Sequence, residues 1–85
     1  MPRIILIDKV TQKPIEGVWV RLISKENSYV DDTDKNGVAD FIHSPDIPDG
    51  EYVVKIKNYN YRPFHEKLYI SRHSIIKIPL RGSWL

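Results

Sequence analysis

The acidic turn in the middle of the chain has the side chains that most resemble a metal site. Asp32, Asp34, Asn36 and Asp40 form the pattern D-x-D-x-N-G-x-x-D, which matches the start of an EF-hand-type calcium loop. Calcium is bound by oxygen atoms, and this spacing would turn several of them inward. His43 occupies the position of the usual bidentate glutamate, and the flanking residues favour strands over helices. We therefore predict no metal site, and keep these four residues as calcium candidates.

The three histidines do not suggest a catalytic or metal-binding group. His43, His65 and His73 lie in separate segments, without the short spacings that place two histidines on one face. The chain has no cysteine, no glycine-rich phosphate loop and no nucleophile elbow. We expect no catalytic residue, no cofactor and no enzymatic activity.

Basic and aromatic residues are interleaved in one later segment, as in proteins that bind single-stranded nucleic acid. They are Lys55, Lys57, Tyr59, Tyr61, Arg62 and Phe64. The formal net charge of the chain is only +2, from 13 basic and 11 acidic residues. Such a balance favours a solvated strand face over a nucleic-acid site, so we predict no nucleic-acid partner.

The elements that position these side chains are predicted to be strands, because apolar residues recur at every second position. The pattern is clear in Val18, Val20 and Leu22, in Tyr52, Val54 and Ile56, and in Ile76, Ile78 and Leu80. Strands are predicted near residues 3–8, 17–24, 28–32, 38–42, 51–57, 66–71 and 74–80. No segment has the apolar spacing of a helix.

Length and composition bound the architecture. The 85 residues, 41% hydrophobic and 28% charged, suffice for one globular domain over residues 1–85. Seven short strands separated by turns predict a β-sandwich. No apolar run is long enough for a signal peptide or a membrane span, so we expect no membrane contact and a cytoplasmic protein or part of a larger assembly.

Four short motifs resemble the transthyretin-like, or carboxypeptidase regulatory-like, domain group. They are I-D at residues 7–8 followed by K-P-I-E-G-V-W-V at 13–20, T-D-K-N-G at 33–37, D-G-E-Y-V-V-K-I at 49–56, and P-F-H-E at 63–66. The resemblance implies an all-β, seven-stranded Greek-key sandwich of the transthyretin-like or immunoglobulin-like kind.

One enzyme branch of this group, the hydroxyisourate hydrolases, uses a first-strand histidine, an arginine after the T-x-x-D-G turn, a late histidine and a C-terminal Y-R-G-S. The chain has R-G-S at residues 81–83 and offers His73 as a late histidine. Ile5 and Val38 occupy the other two positions. Without a proton-transfer group and an anchoring cation, a hydrolase-like activity is the least favoured alternative.

Several motif residues have structural explanations. Gly17, Gly37 and Gly50 are predicted where a turn needs positive φ or a close approach of two backbones. Asn60 is a candidate for the left-handed region. Tyr52 follows a turn and is expected to bury its ring and to form a hydrogen bond through its hydroxyl.

An outward-facing set of residues gives the best indication of binding. If Val18, Val20 and Leu22 point inward, Trp19 and Arg21 point outward, and the same alternation exposes Lys55 and Tyr69. The resemblance implies that their strands share one sheet, so Trp19, Arg21, Lys55 and Tyr69 are candidates for a partner-binding patch. Cross-strand packing that shields the sheet is the alternative.

The resemblance also implies that the strand after residues 63–66 is an edge strand, which in transthyretin pairs with a second copy. Unpaired backbone groups there would favour dimerisation or strand addition, and Lys67 would blunt that edge. We therefore expect a non-catalytic interaction module that binds a protein partner or self-associates. A carbohydrate-binding module and a calcium-stabilised adhesion-type domain are the alternatives.

Overall fold

In the computed structural model, which describes residues 1–83, seven strands and their turns account for the chain, and the all-β prediction is confirmed. The strands are β1 (Arg3–Asp8), β2 (Trp19–Ile23), β3 (Ser28–Asp32), β4 (Val38–Ala39), β5 (Gly50–Asn58), β6 (Tyr61–Ile70) and β7 (Ile75–Leu80). Residues 1–83 contain no helix long and apolar enough to cross a membrane.

The strands form two sheets, as expected for a sandwich. One has three strands in the order β4-β1-β7, and the other has four in the order β3-β2-β5-β6. β1 and β7 are parallel, and every other pair is antiparallel. The chain changes sheet four times, between β1 and β2, β3 and β4, β4 and β5, and β6 and β7.

The core consists of the alternate residues that the two sheets turn toward each other, and turn residues close its ends. The small sheet contributes Ile4, Leu6, Ala39, Ile78 and Leu80, the large sheet contributes Val20, Leu22, Tyr52, Val54, Ile56 and Ile70, and the connections contribute Ile15, Val18, Phe41 and Ile47. The predicted period of two therefore identified the buried faces of β2, β5 and β7 correctly.

Asn-Gly is a common pair in two-residue β-hairpin turns, but the Asn36-Gly37 turn does not form a hairpin here. It joins β3 to β4, which belong to different sheets. Buried Thr33 at its start accepts the Val18 N–H through Oγ1 at 3.0 Å, and its own N–H donates to the Val18 carbonyl at 2.9 Å. The turn is therefore attached to the segment before β2, and it carries the chain from one sheet to the other.

Gly37 is required because the turn touches β1. Its φ is 78°, and a Cβ there would lie 2.5 Å from the Leu6 carbonyl oxygen. Gly17 also has positive φ, at 77°, but nothing lies within 4 Å of its Cβ position. Gly50 differs from the prediction, because it begins β5 without positive φ and without a close neighbour.

β4 is shorter than the predicted strand 38–42. Phe41 has a φ of 55°, which is outside the strand region and ends the pairing with β1. Its ring is buried, and its N–H donates to Asp31 Oδ2 at 2.9 Å. Burial of a large ring in the core compensates for the strained backbone.

β6 begins five residues earlier than predicted, because residues 58–63 form a tight hairpin rather than a loop. Asn58 pairs directly with Tyr61, and the register shifts between Ile56 and Asn58. Pro63, which cannot donate to a ladder, lies at this irregularity of an edge strand. Asn60 does not take the predicted left-handed conformation; its N–H donates to Asn58 Oδ1 at 2.8 Å instead.

The prediction for Tyr52 is confirmed. Its ring is buried, and its hydroxyl donates to the Pro48 carbonyl oxygen at 2.6 Å. Its ring also meets the edge of Tyr29, with centroids 6.2 Å apart. The bond ties the proline-rich connection before β5 to the core.

Candidate functional site

Trp19 and Arg21 stand on the outer face of the four-stranded sheet. Val20 and Leu22, which alternate with them in β2, are fully buried. The Trp19 side chain is 59% exposed, although it lies on an interior strand of the sheet. The strands of Trp19, Lys55 and Tyr69 share this sheet, as expected.

Strand register sets Arg21, Lys55 and His65 in one row across three neighbouring strands. Arg21 of β2 is directly opposite Lys55 of β5, and Lys55 is directly opposite His65 of β6. All three side chains are exposed. Opposed like charges destabilise an antiparallel pair, so this row is not explained by the stability of the sheet.

Trp19, Arg21, Lys55 and Lys57 line a shallow concavity of about 390 Å³, which we call the Trp19 patch. The side chains of Arg21, Lys55 and Lys57 form no hydrogen bond or ion pair with any part of the chain that the structure describes. One indole ring and three positive charges therefore face solvent together.

Tyr69 is on the same face but at its opposite end. It is 63% exposed and lies opposite Glu51, whereas Lys57 is six residues further along β5. At about 3.4 Å per residue the two ends are roughly 20 Å apart. Of the four predicted patch residues, the structure groups Trp19, Arg21 and Lys55, adds Lys57 and separates Tyr69.

The acidic turn uses its carboxylates to hold its own backbone. Asp34 Oδ1 accepts the N–H groups of Asn36 and Val38, at 2.8 and 3.0 Å, and Asp40 Oδ1 accepts that of Ile42. In residues 1–83, no three acidic or histidine side chains are arranged to hold a metal ion. The geometry thus favours a turn-capping role for Asp34 and Asp40. Asp32 lies in β3, opposite Trp19 of β2, and no other acidic side chain of residues 1–83 joins it in a calcium site.

The histidines are dispersed. His43 follows β4, His65 is in the middle of β6, and His73 is in the turn before β7. All three are exposed. Only His65 lies beside another candidate residue, Lys55.

The hydrogen bonds of Asp8 at the end of β1 were not predicted from the sequence. The N–H groups of Thr11 and Val10 donate to Asp8 Oδ1, at 3.0 and 2.8 Å, and lower the pKa of that carboxyl. The Tyr61 hydroxyl donates to Asp8 Oδ2 at 3.1 Å, and burial together with this bond raises the pKa of Tyr61. The aspartate of the I-D motif thus caps a turn and joins β1 to the start of β6.

The R-G-S segment also has a backbone role. The Arg62 N–H donates to the Arg81 carbonyl at 2.7 Å, the Ser83 N–H donates to the Asn60 carbonyl at 3.0 Å, and Tyr61 bridges to Gly82. The segment after β7 therefore covers the start of the β6 edge.

The outer face of the three-stranded sheet is more apolar than a solvated face usually is. Ile5 and Ile7 of β1 and Val38 of β4 are half-buried, and Ile75 of β7 is 67% exposed. The sequence signal was present in the uninterrupted apolar run at residues 4–7, because alternation must give each face two of its members.

No protein-family model matches the chain, and no curated protein matches it in sequence. The functional interpretation therefore depends on the residues and their geometry.

Proposed function

We propose that this chain is a non-catalytic, transthyretin-like Greek-key sandwich that binds a protein partner or a second copy of itself. The Trp19 patch and the edge of β6 would provide the contacts. No cofactor, nucleic acid or membrane takes part in this proposal.

The strand arrangement supports the finer fold assignment. β2, β5 and β6 share one sheet, as the resemblance implies for the strands that carry Trp19, Lys55 and Tyr69. The T-D-K-N-G turn connects the two sheets, and its Gly37 contacts β1 at a position where a side chain would not fit. A turn that connects the two sheets and packs closely on β1 is expected to recur in other proteins of the same architecture.

The observation that carries the proposal is the exposed indole ring of Trp19 beside Arg21 on a rigid sheet. Tryptophan and arginine are enriched among the residues that dominate protein–protein binding energies. A tryptophan in the middle of a sheet gains more from a partner that buries it than from water.

The edge of β6 supports the second mode of contact. β6 is ten residues long and lies at the end of its sheet. Within residues 1–83, only its start is paired on the outer side, by residues 81–83. Backbone groups further along this edge are available for an added strand.

Trp19→Ala tests the patch, with Tyr59→Ala as the matched control, since Tyr59 is an exposed aromatic in the β5–β6 turn. A partner captured by the wild-type chain is identified and purified, and its binding to each variant is measured by calorimetry. We expect Trp19→Ala to weaken binding about 30-fold or more, as for a residue worth 2 kcal/mol, and Tyr59→Ala to leave it unchanged. Equal affinity for both variants would exclude the patch.

A carbohydrate-binding module is the second candidate, favoured by the same exposed ring, on which a sugar would stack. Retention on insoluble polysaccharides, lost in Trp19→Ala but not in Tyr59→Ala, would support it over protein binding.

A further inference from the structure

The positive charges of the Trp19 patch are aligned by the fold and have no partner within the described chain. Arg21 is opposite Lys55, Lys57 lines the same concavity, and His65 extends the row onto β6. Sheets are stabilised by opposite charges across strands and destabilised by like charges. An anionic ligand would turn this unfavourable arrangement into a favourable one.

We propose that the Trp19 patch binds an acidic segment of a protein partner in extended conformation. This inference rests on the proposed function and specifies the chemistry of the partner. Lys55 and Lys57 are alternate residues on one face of β5, so they are about 6.8 Å apart. Carboxylates at alternate positions of an extended peptide repeat at the same distance and point to one side, so two of them can face Lys55 and Lys57 together.

Charge opposes a dimer in which this face meets the same face of a second copy. The outward positions of the four-stranded sheet include four cations, Arg21, Lys55, Lys57 and Lys67, and two carboxylates, Asp32 and Glu51. Two such faces would bring together like net charge. Self-association is therefore assigned to the β6 edge rather than to the patch.

The surroundings of Trp19 favour a peptide over single-stranded nucleic acid. Nucleic-acid grooves stack successive bases on successive aromatic rings. Here Trp19 is the single aromatic residue that lines the patch. Tyr69 is roughly 20 Å away, a distance that six strand residues at about 3.4 Å each span. A neutral sugar would use the ring but not the cations.

The test uses the full chain and two fluorescein-labelled decapeptides, one alternating Glu and Thr and the other alternating Gln and Thr. Fluorescence anisotropy at low salt measures their affinities. We expect binding of the Glu peptide only. We further expect Arg21→Gln with Lys55→Gln to weaken it about tenfold or more, equivalent to 1.4 kcal/mol. Lys13→Gln with Lys35→Gln removes the same charge from turns elsewhere and should change affinity less than about twofold.

Three results would overturn the inference. The first is no binding of the Glu peptide, and the second is equal weakening by both double variants, which indicates attraction by net charge alone. The third is tighter, Arg21- and Lys55-dependent binding of oligothymidine or a heparin fragment, which would make the occupant a nucleic acid or glycan. If Trp19→Ala still abolishes partner binding in any of these cases, the proposed function stands, and only the inference that the patch binds an acidic segment is rejected. Melting curves verify that each variant is folded.

Discussion

Single residues explain why the recognisable motifs of this chain are structural. Thr33 satisfies three backbone groups of Gly17 and Val18 through its side chain and main chain, and Asp34 caps the turn that follows. Asp8 caps another turn, and Tyr52 anchors the connection before β5. Each of these four residues forms its hydrogen bonds where the chain changes direction, which is where an unsatisfied buried group would be costly.

Gly37→Ala is expected to destabilise the protein by about 3 kcal/mol, because it adds left-handed strain and pushes the turn away from β1, which breaks the hydrogen bond from the Leu6 N–H to the Gly37 carbonyl. Gly17 has nearly the same positive φ, but no atom lies near its Cβ position, so we expect Gly17→Ala to lower the free energy of unfolding by only about 1 kcal/mol. Urea unfolding measures both. Equal losses would show that the close approach to Leu6 does not matter.

Asp8 should make stability depend on acid pH. Because the folded state lowers its pKa, the carboxylate stabilises the fold above about pH 4, and this contribution is lost as pH falls through the lowered folded value. Asp8→Asn should therefore be less stable than wild type at pH 6, with a difference that narrows between about pH 5 and pH 3. Urea unfolding at a series of pH values measures this difference.

Asp46→Asn is the control, since the Asp46 carboxylate accepts no hydrogen bond from residues 1–83. A difference between wild type and Asp8→Asn that stays constant with pH would contradict the assigned role of the Asp8 charge.

Among the elements, β6 combines a long free edge with features that oppose pairing. Pro63 lies at the register shift, and Glu66 occupies an inward position opposite Val54 yet remains exposed beyond the narrower three-stranded sheet. Lys67 follows on the outer face. Charged residues and proline on an edge strand discourage uncontrolled association, so any dimer through β6 is expected to be weak.

Glu66→Val with Lys67→Val should therefore increase self-association. Sedimentation equilibrium is expected to show a shift from monomer toward dimer or larger species. Lys9→Val with Glu16→Val changes the same residue types in the β1–β2 connection and should leave the mass distribution unchanged. A monomer in both double variants would show that Glu66 and Lys67 do not protect this edge.

At the scale of the whole molecule, the two outer faces differ in character. The four-stranded sheet presents Trp19 among cations, and the three-stranded sheet presents half-buried isoleucines. The concavity sits on an open face, and the three histidines lie in one strand and two separate turns. This distribution suits recognition over a surface.

Much of the fold could be predicted because it follows from local alternation. The buried faces of β2, β5 and β7, the exposure of Trp19 and Arg21, and the hydroxyl bond of Tyr52 all follow from residue order. Strand ends were less predictable. Phe41 and the tight hairpin before Tyr61 depend on contacts with distant residues, which local propensity does not contain.

The candidate site divides in the same way. Which side chains leave the core depends on a period of two, a property of the covalent chain that can be read from residue types alone. Which of them become neighbours depends on register, which is established only when strands pair. Pairing placed Arg21 against Lys55 and Lys55 against His65, and it brought Lys57 beside Trp19. It left Tyr69 at the far end, because one sheet face is longer than the reach of any side chain.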